Sequence, residues 1–168
     1  IYLPAGDGSL FRIIKSNFSN HRFSDYYPDG ISTDNKISHQ DLTNLTFKKS
    51  SFDFVVSEHV MEHINDPKQA FEEIYKVLRP GGQYIFSIPF EANKKSVERI
   101  TKDFKALLPN KYHLDPLRSE GALVFNDFSK YDFLKKFVTP KFKKAEIVED
   151  IIYIKNIKVV SEVLVLEK

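Results

Sequence analysis

The stretch VVSEHVMEHI, residues 55–64, sets two histidines and two glutamates within six positions, directly behind an apolar run. If residues 59–63 form a helical turn, His59, Glu62 and His63 stand at i, i+3 and i+4 and share one face. Imidazole and carboxylate ligands so arranged suit Zn²⁺ or a similar divalent ion. The same groups beside a reacting centre would instead act as a base or hold an acceptor molecule. A third use is to shape a loop. The residue types alone leave all three open.

A second chemical feature is LPAGDGSL, residues 3–10, with Gly6 and Gly8 in a strand-to-helix turn where missing side chains let a ligand approach the backbone. The dinucleotide pattern G-x-G-x-x-G would need a third glycine at Phe11, and the P-loop pattern is absent. Phosphate recognition is therefore not expected, and the turn is open to two readings, a tight connection or a platform for a ligand lying flat over it. Asp25 follows Gly8 by 17 residues, near the distance at which an acidic residue after the second strand grips ribose hydroxyls. Asp41 follows a third strand candidate, where a carboxylate can accept from an adenine amino group. Together the two aspartates describe a nucleoside pocket.

The elements that must position these groups are legible from periodicity. Ile1–Leu3 and His21–Ser24 are β-prone runs, and Ile37–Leu42 is a weaker one. Phe52, Phe54, Val55 and Val56 give 51–57 the near-continuous apolar character of a strand covered on both faces. Leu10, Phe11, Ile13 and Ile14 recur as a helix face. The clearest helix is 66–79, with Asp66 as cap, Pro67 at the first position, and an apolar stripe of Ala70, Phe71, Ile74, Val77 and Leu78. Gln69 completes a capping box, Lys76 and Arg79 suit the C-terminal dipole, and Pro80-Gly81-Gly82 stops the helix. A strand follows at 83–90. Short helices are expected near Val97–Leu107 and at Phe128–Phe137, then strands at Ala145–Ile154 and Val159–Glu167, joined by a hairpin turn in IKNIK. The alternation predicts an α/β fold: a Rossmann-like, mostly parallel sheet with an antiparallel C-terminal strand pair and helices on both faces. One domain spans 1–168. Ligands of such sheets bind outside the carboxyl ends of the strands, where Gly6, Asp7, Gly8, Asp25, Asp41 and Ser57–His63 all fall.

Composition narrows the function classes. With 25 basic and 23 acidic residues the net charge is +2, which gives no reason to expect nucleic acid or an acidic membrane as partner. The absence of Cys excludes disulfides, thiolate metal sites and Cys nucleophiles, and fits a reducing, cytoplasmic setting. No apolar run approaches the roughly 20 residues needed to span a bilayer. The opening IYLP is strand-like and carries no initiator Met, which reads as a sign that the sequence is a fragment.

The segment 41–90 resembles the central part of class I S-adenosylmethionine-dependent methyltransferases, above all the group that includes ubiquinone- and menaquinone-pathway enzymes. The resemblance rests on Asp41 with Leu45-Thr46-Phe47, on Ser51-Phe52-Asp53, on Met61-Glu62-His63, and on Val77-Leu78-Arg79-Pro80-Gly81-Gly82. LPAGDGSL stands where that family has its glycine motif. Two departures are Pro4, in place of an acidic residue, and Leu10, in place of a third glycine. The family's helix before the first strand has no counterpart in this sequence.

The resemblance implies S-adenosyl-L-methionine as cofactor and methyl transfer to a small polar acceptor. It places Gly6 and Gly8 under the cofactor, Asp25 with its neighbour Tyr26 at ribose, Asp41 with Leu42 at adenine, and Ser57 backbone groups at the methionine end. Asp7 or Glu58 would replace the carboxylate missing at Pro4. His59 and His63 are the expected catalytic residues, facing the acceptor as base or positioning group, in a loop read as metal-free. Residues 91–128 form the acceptor-side insertion, with Tyr112, His113 and Arg118 as substrate contacts; together with Lys94, Lys95 and Arg99 they suit a polar or anionic small molecule such as a sugar or its nucleotide derivative. Two readings compete: a binding module that kept the fold without catalysis, and a nicotinamide-dependent oxidoreductase, against which Phe11 weighs.

Overall fold

The structure is a computed structural model that describes residues 1–4, 8–27, 37–115, 118–154 and 157–168, the side chains of 150–161 excepted. Its elements are, in chain order, β1 (Tyr2–Leu3), α1 (Gly8–Asn17), β2 (Arg22–Asp25), β3 (Ser38–His39), β4 (Phe52–Glu58), a 3-10 turn (Met61–His63), α2 (Pro67–Val77) and β5 (Leu78–Ser87). There follow β6 (Val97–Glu98), β7 (Tyr112–Asp115), β8 (Arg118–Leu123), β9 (Asn126–Asp127), α3 (Phe133–Phe137), β10 (Lys144–Ile154) and β11 (Ile157–Glu167).

Seven strands form one sheet in the order β10-β11-β5-β4-β1-β2-β3. The pairs within β5-β4-β1-β2-β3 are parallel, and β11 joins β5 and β10 antiparallel. This is the expected α/β sheet with an antiparallel terminal pair. The crossover through α1 runs from β1 to β2, and that through α2 runs from β4 to β5 in the opposite direction. Right-handed crossovers therefore put the two helices on opposite faces. The larger core lies under α2, where Phe71 and Ile74 meet Tyr84, Phe86 and Phe133. Leu3 and Ile14, also buried, stand outside that cluster.

Helix α2 is capped as its sequence demands: Asp66 Oδ1 accepts from the Gln69 amide at 3.1 Å, with Pro67 at the first helical position. The reciprocal half of the box is absent, because Gln69 Nε2 donates to Glu73 Oε1 at 3.0 Å. Asp66→Ala is expected to lower stability by about 1 kcal/mol in chemical denaturation.

The glycines do not end this helix. It closes at Val77, and β5 begins at once with Leu78, already extended at ψ 141°. Pro80-Gly81-Gly82 lies in an irregularity where β4 and β5 shift register between Phe52 and Phe54. There a Cβ on Gly82 would come within 2.9 Å of the Arg79 carbonyl oxygen and 3.0 Å of that of Asp53. Arg79 does not serve the helix dipole, since its Nη1 reaches both Asp53 carboxylate oxygens, at 2.7 and 2.9 Å.

Other expectations need correction. No helix forms over 97–107: Val97–Glu98 pairs with Asn126–Asp127 as β6–β9, and Ile100 bridges to Ala106. Arg99 holds this arrangement, with Nη1 on Asp127 Oδ2 at 2.5 Å and Nη2 on the Pro109 carbonyl at 2.6 Å. Those non-local bonds outweigh a weak helical period. The helix expected at 128–137 shrinks to Phe133–Phe137, because Ser129 is drawn to Ser96 by its amide, at 2.9 Å, and to the Asn93 carbonyl by its hydroxyl, at 2.6 Å. The third strand is only Ser38–His39. Asp41 instead closes a local turn with Asn44. The turn joining β10 and β11 lies outside the described residues. Among the described residues no helix is long and apolar enough to cross a membrane.

Candidate active site

A cavity of about 730 Å³ opens at the carboxyl ends of β2 and β4. One wall carries Asp25, Tyr26, Gln40, Asp41 and Leu42, from the ends of β2 and β3, with Pro4 beside them. Glu58, His59, Val60 and His63 come from the loop after β4. The opposite wall is the β7–β8 hairpin and its surroundings, including Phe104, Tyr112, Leu114, Arg118 and Phe125. The volume is that of a small-molecule site.

The strand ends hold the carboxylates in place by local bonds. Asp25 Oδ1 accepts from the Tyr26 amide at 2.8 Å. Asp41 Oδ1 accepts from both the amide and the hydroxyl of Thr43, each at 2.7 Å. Such turns aim a short carboxylate away from the sheet and fix its rotamer. Leu42 is buried at the floor of this wall, and the rings of Tyr26 and His39 lie 5.5 Å apart beside it. Two oriented carboxylates with aromatic and aliphatic surface between them fit a nucleoside: diol and amino donors on one side, a flat apolar base on the other.

Of the other residues expected at a cofactor, Gly6 and Asp7 lie outside the described residues. Gly8 takes φ +81° at the start of α1, a left-handed conformation that favours glycine, and is not on the cavity wall. The Ser57 hydroxyl is turned into the core, 2.7 Å from the Tyr84 hydroxyl, so only its backbone remains for a ligand. Desolvation by burial pushes the Tyr84 phenol well above its ordinary range, against the opposing effect of the Ser57 bond.

The loop after β4 departs from a regular helical turn. His59 sits at φ +51°, and the 3-10 turn begins only at Met61. The kink turns His59 outward, with 54% of its side chain exposed, while Glu62 is buried with 1% exposed. Both Glu62 carboxylate oxygens are without a hydrogen-bond partner. Around Oε1 stand three imidazoles: His59 Nδ1 at 3.7 Å, His63 Nε2 at 3.7 Å and His113 Nδ1 at 3.5 Å. His113 comes from β7 and packs edge-on against His63, with ring centres 5.0 Å apart. Interaction with Glu62 raises the His59 pKa, while burial, followed by His63, lowers that of His113.

The sequence-expected residues thus divide. Asp25, Tyr26, Asp41, Leu42, Glu58, His59, His63, Tyr112 and Arg118 share the cavity. His113 stands behind its wall with Glu62, a residue whose place at the centre of the histidine cluster had one sequence sign: a glutamate next to a histidine after a buried strand. Arg118 is engaged within the protein, donating to Asp115 and to the Tyr26 carbonyl, and so ties the hairpin to the β2 end. Lys111 likewise pairs with Glu91 and Asp127, at 2.6 and 3.1 Å.

The chain is similar to known proteins in both sequence and fold. A methyltransferase domain family matches residues 5–86. Phosphoethanolamine N-methyltransferase 2 of Caenorhabditis elegans is 27% identical over 109 residues, 65% of this chain and 24% of that protein. The ubiquinone/menaquinone biosynthesis C-methyltransferase UbiE of Hydrogenovibrio crunogenus is 28% identical over 94 residues, 56% of this chain and 34% of that protein. The matched stretches thus span about a quarter to a third of these relatives. Among solved structures, an S-adenosylmethionine-dependent methyltransferase from Mesorhizobium loti superposes with a TM-score of 0.59 at 15% identity, covering 99% of this chain and 89% of that one. One from Methanosarcina mazei gives 0.58 at 14%, covering 99% and 90%. At such identities the likeness is one of fold, and it extends over the whole sheet. The sequence match across the β1–β5 half and the likeness of fold over the chain support a class I S-adenosylmethionine-dependent methyltransferase, a family whose cofactor is S-adenosyl-L-methionine.

Proposed function

We propose that this chain transfers a methyl group from S-adenosyl-L-methionine to a small polar molecule held between the loop after β4 and the β7–β8 hairpin. The observation that carries the reading is the shared cavity: Asp25 and Asp41 on one wall, His59 and His63 beside them, and the hairpin opposite. When bound, the cofactor supplies an electrophilic methyl group on a sulfonium. The protein's own task is positioning, which suffices for an in-line displacement. Asp25 and Asp41 hold the nucleoside, and Tyr26 and Leu42 flank it. Glu58, at the end of β4, supplies the carboxylate that Pro4 lacks. His59 and His63 orient the acceptor's nucleophilic atom, and Tyr112 contacts the acceptor from the hairpin.

The acceptor that fits is uncharged. Arg118, the one Arg or Lys on the cavity wall among the described residues, is already held by Asp115 and the Tyr26 carbonyl, and Arg99 and Lys111 are paired with Asp127, Glu91 and the Pro109 carbonyl. A sugar suits a wall that mixes Tyr112 with Phe104 and Leu114. A phosphorylated acceptor would need to break those pairs. The two curated relatives are named for N- and C-methylation of different molecules, so likeness alone does not select the acceptor.

Calorimetric titration tests the reading: S-adenosylmethionine and S-adenosylhomocysteine should bind, and NADH should not. Binding of none would favour a module without catalysis. His63→Ala should then lower methyl transfer to a panel of neutral sugars, with S-adenosylhomocysteine affinity nearly unchanged. Affinity lost in step with turnover would remove His63 from the acceptor side.

A further inference from the structure

The Glu62 cluster does not follow from cofactor or acceptor binding. His63 Nδ1 lies 2.8 Å from the Leu123 carbonyl oxygen. A carbonyl only accepts, so Nδ1 carries the proton, and in the neutral ring Nε2 is a lone pair. That lone pair faces Glu62 Oε1 at 3.7 Å, with the His113 Nδ1 atom 3.5 Å from the same oxygen. A buried carboxylate facing the His63 lone pair is electrostatically unfavourable unless something positive lies between them.

Geometry distinguishes the two candidates for that charge. A shared proton draws donor and acceptor to roughly 2.7–2.9 Å, which none of these pairs approaches. A cation bonded at about 2.0–2.1 Å to each ligand in tetrahedral geometry separates them by roughly 3.3–3.5 Å, close to the observed 3.5 and 3.7 Å. The ligand atoms of Glu62, His63 and His113 all lie within 4.8 Å of one another. Moreover, His63 already has the outer partner expected of a metal-bound imidazole, a carbonyl that accepts from its other nitrogen and fixes the ring.

We propose that Glu62, His63 and His113 bind one divalent transition-metal ion, a departure from the metal-free loop expected from sequence. Two imidazoles and a carboxylate are the ligand set of Zn²⁺ and its first-row neighbours. Three protein ligands leave a coordination position open. His63 is part of the cavity wall, and the exposed His59 ring stands 3.7 Å from the same Glu62 oxygen, so this position is reached from the cavity side. With Nδ1 on the Leu123 carbonyl and Nε2 on the ion, His63 would act on the acceptor through the ion's open position and not directly, and metal binding is tested separately from methyl transfer.

The full chain, stripped with a chelator and dialysed against Zn²⁺, should retain one equivalent by elemental analysis. Co²⁺ in its place should give the visible absorption of a four- or five-coordinate ion. Glu62→Gln, which keeps side-chain volume, and His113→Ala should each weaken Zn²⁺ binding at least about tenfold. His21→Ala, at a half-buried histidine that meets the Phe18 carbonyl and the Phe23 ring away from the cluster, should leave it unchanged. Zn²⁺ should raise the melting temperature of the parent and not that of Glu62→Gln. Without metal, Glu62→Gln should melt above the stripped parent, because a buried uncompensated charge has been removed. Substoichiometric uptake by the stripped parent, or uptake indifferent to both Glu62→Gln and His113→Ala, overturns the proposal. If Glu62→Gln does not fold, His113→Ala and the Co²⁺ spectrum decide alone.

Discussion

Phe71→Ala is expected to destabilise the chain by about 3–5 kcal/mol in urea or thermal unfolding, the largest stability loss of any substitution considered. Phe71 is fully buried on α2, with its ring centre 5.7 Å from that of Phe86, 5.9 Å from Phe133 and 6.0 Å from Tyr84. Removing the ring opens a void between helix and sheet that these neighbours cannot fill, since Tyr84 and Phe86 stack on each other at 4.2 Å and are fixed by strand pairing. Phe71 is not on the cavity wall. The folded fraction should therefore bind S-adenosylhomocysteine as the parent does. Affinity lost without any loss of stability would contradict this division between scaffold and site.

What the sequence made legible follows range of interaction. The α2 stripe and its Asp66 cap depend on neighbours three or four positions away, and the structure has both. Asp25 and Asp41 could be placed because a strand end always faces the same edge of a parallel sheet. Residues 97–107 could not, since Arg99 finds its partner at Asp127, beyond the reach of any periodicity. The same limit hid the neighbour of Glu62: His113 is brought to it by the β7–β8 hairpin, so a residue expected at the substrate stands instead against a buried carboxylate. The glycines at 81 and 82 were misread for another reason. A helix stop and a strand irregularity both require small residues, and only the register of β4 against β5 separates them.

Asp25→Ala should weaken S-adenosylhomocysteine binding at least about tenfold, the largest functional effect of a single side chain outside the histidine cluster. A carboxylate on a vicinal diol makes two charge-assisted hydrogen bonds, each worth roughly 1.5–3 kcal/mol, and 1.4 kcal/mol is a factor of ten. Tenfold is therefore a floor, set low because one oxygen of Asp25 already accepts from the Tyr26 amide and water will partly replace the lost contacts. Asp25→Asn separates the two duties: it keeps an acceptor for the amide but loses the charge, and should fall between parent and Ala variant. Asp41→Ala should have a smaller effect on affinity, because the base also packs on Leu42. It should cost more locally, because the Thr43 amide and hydroxyl both lose their acceptor. If Asp25→Ala and Asp41→Ala both bind S-adenosylhomocysteine like the parent, the nucleoside wall has been assigned to the wrong side of the cavity.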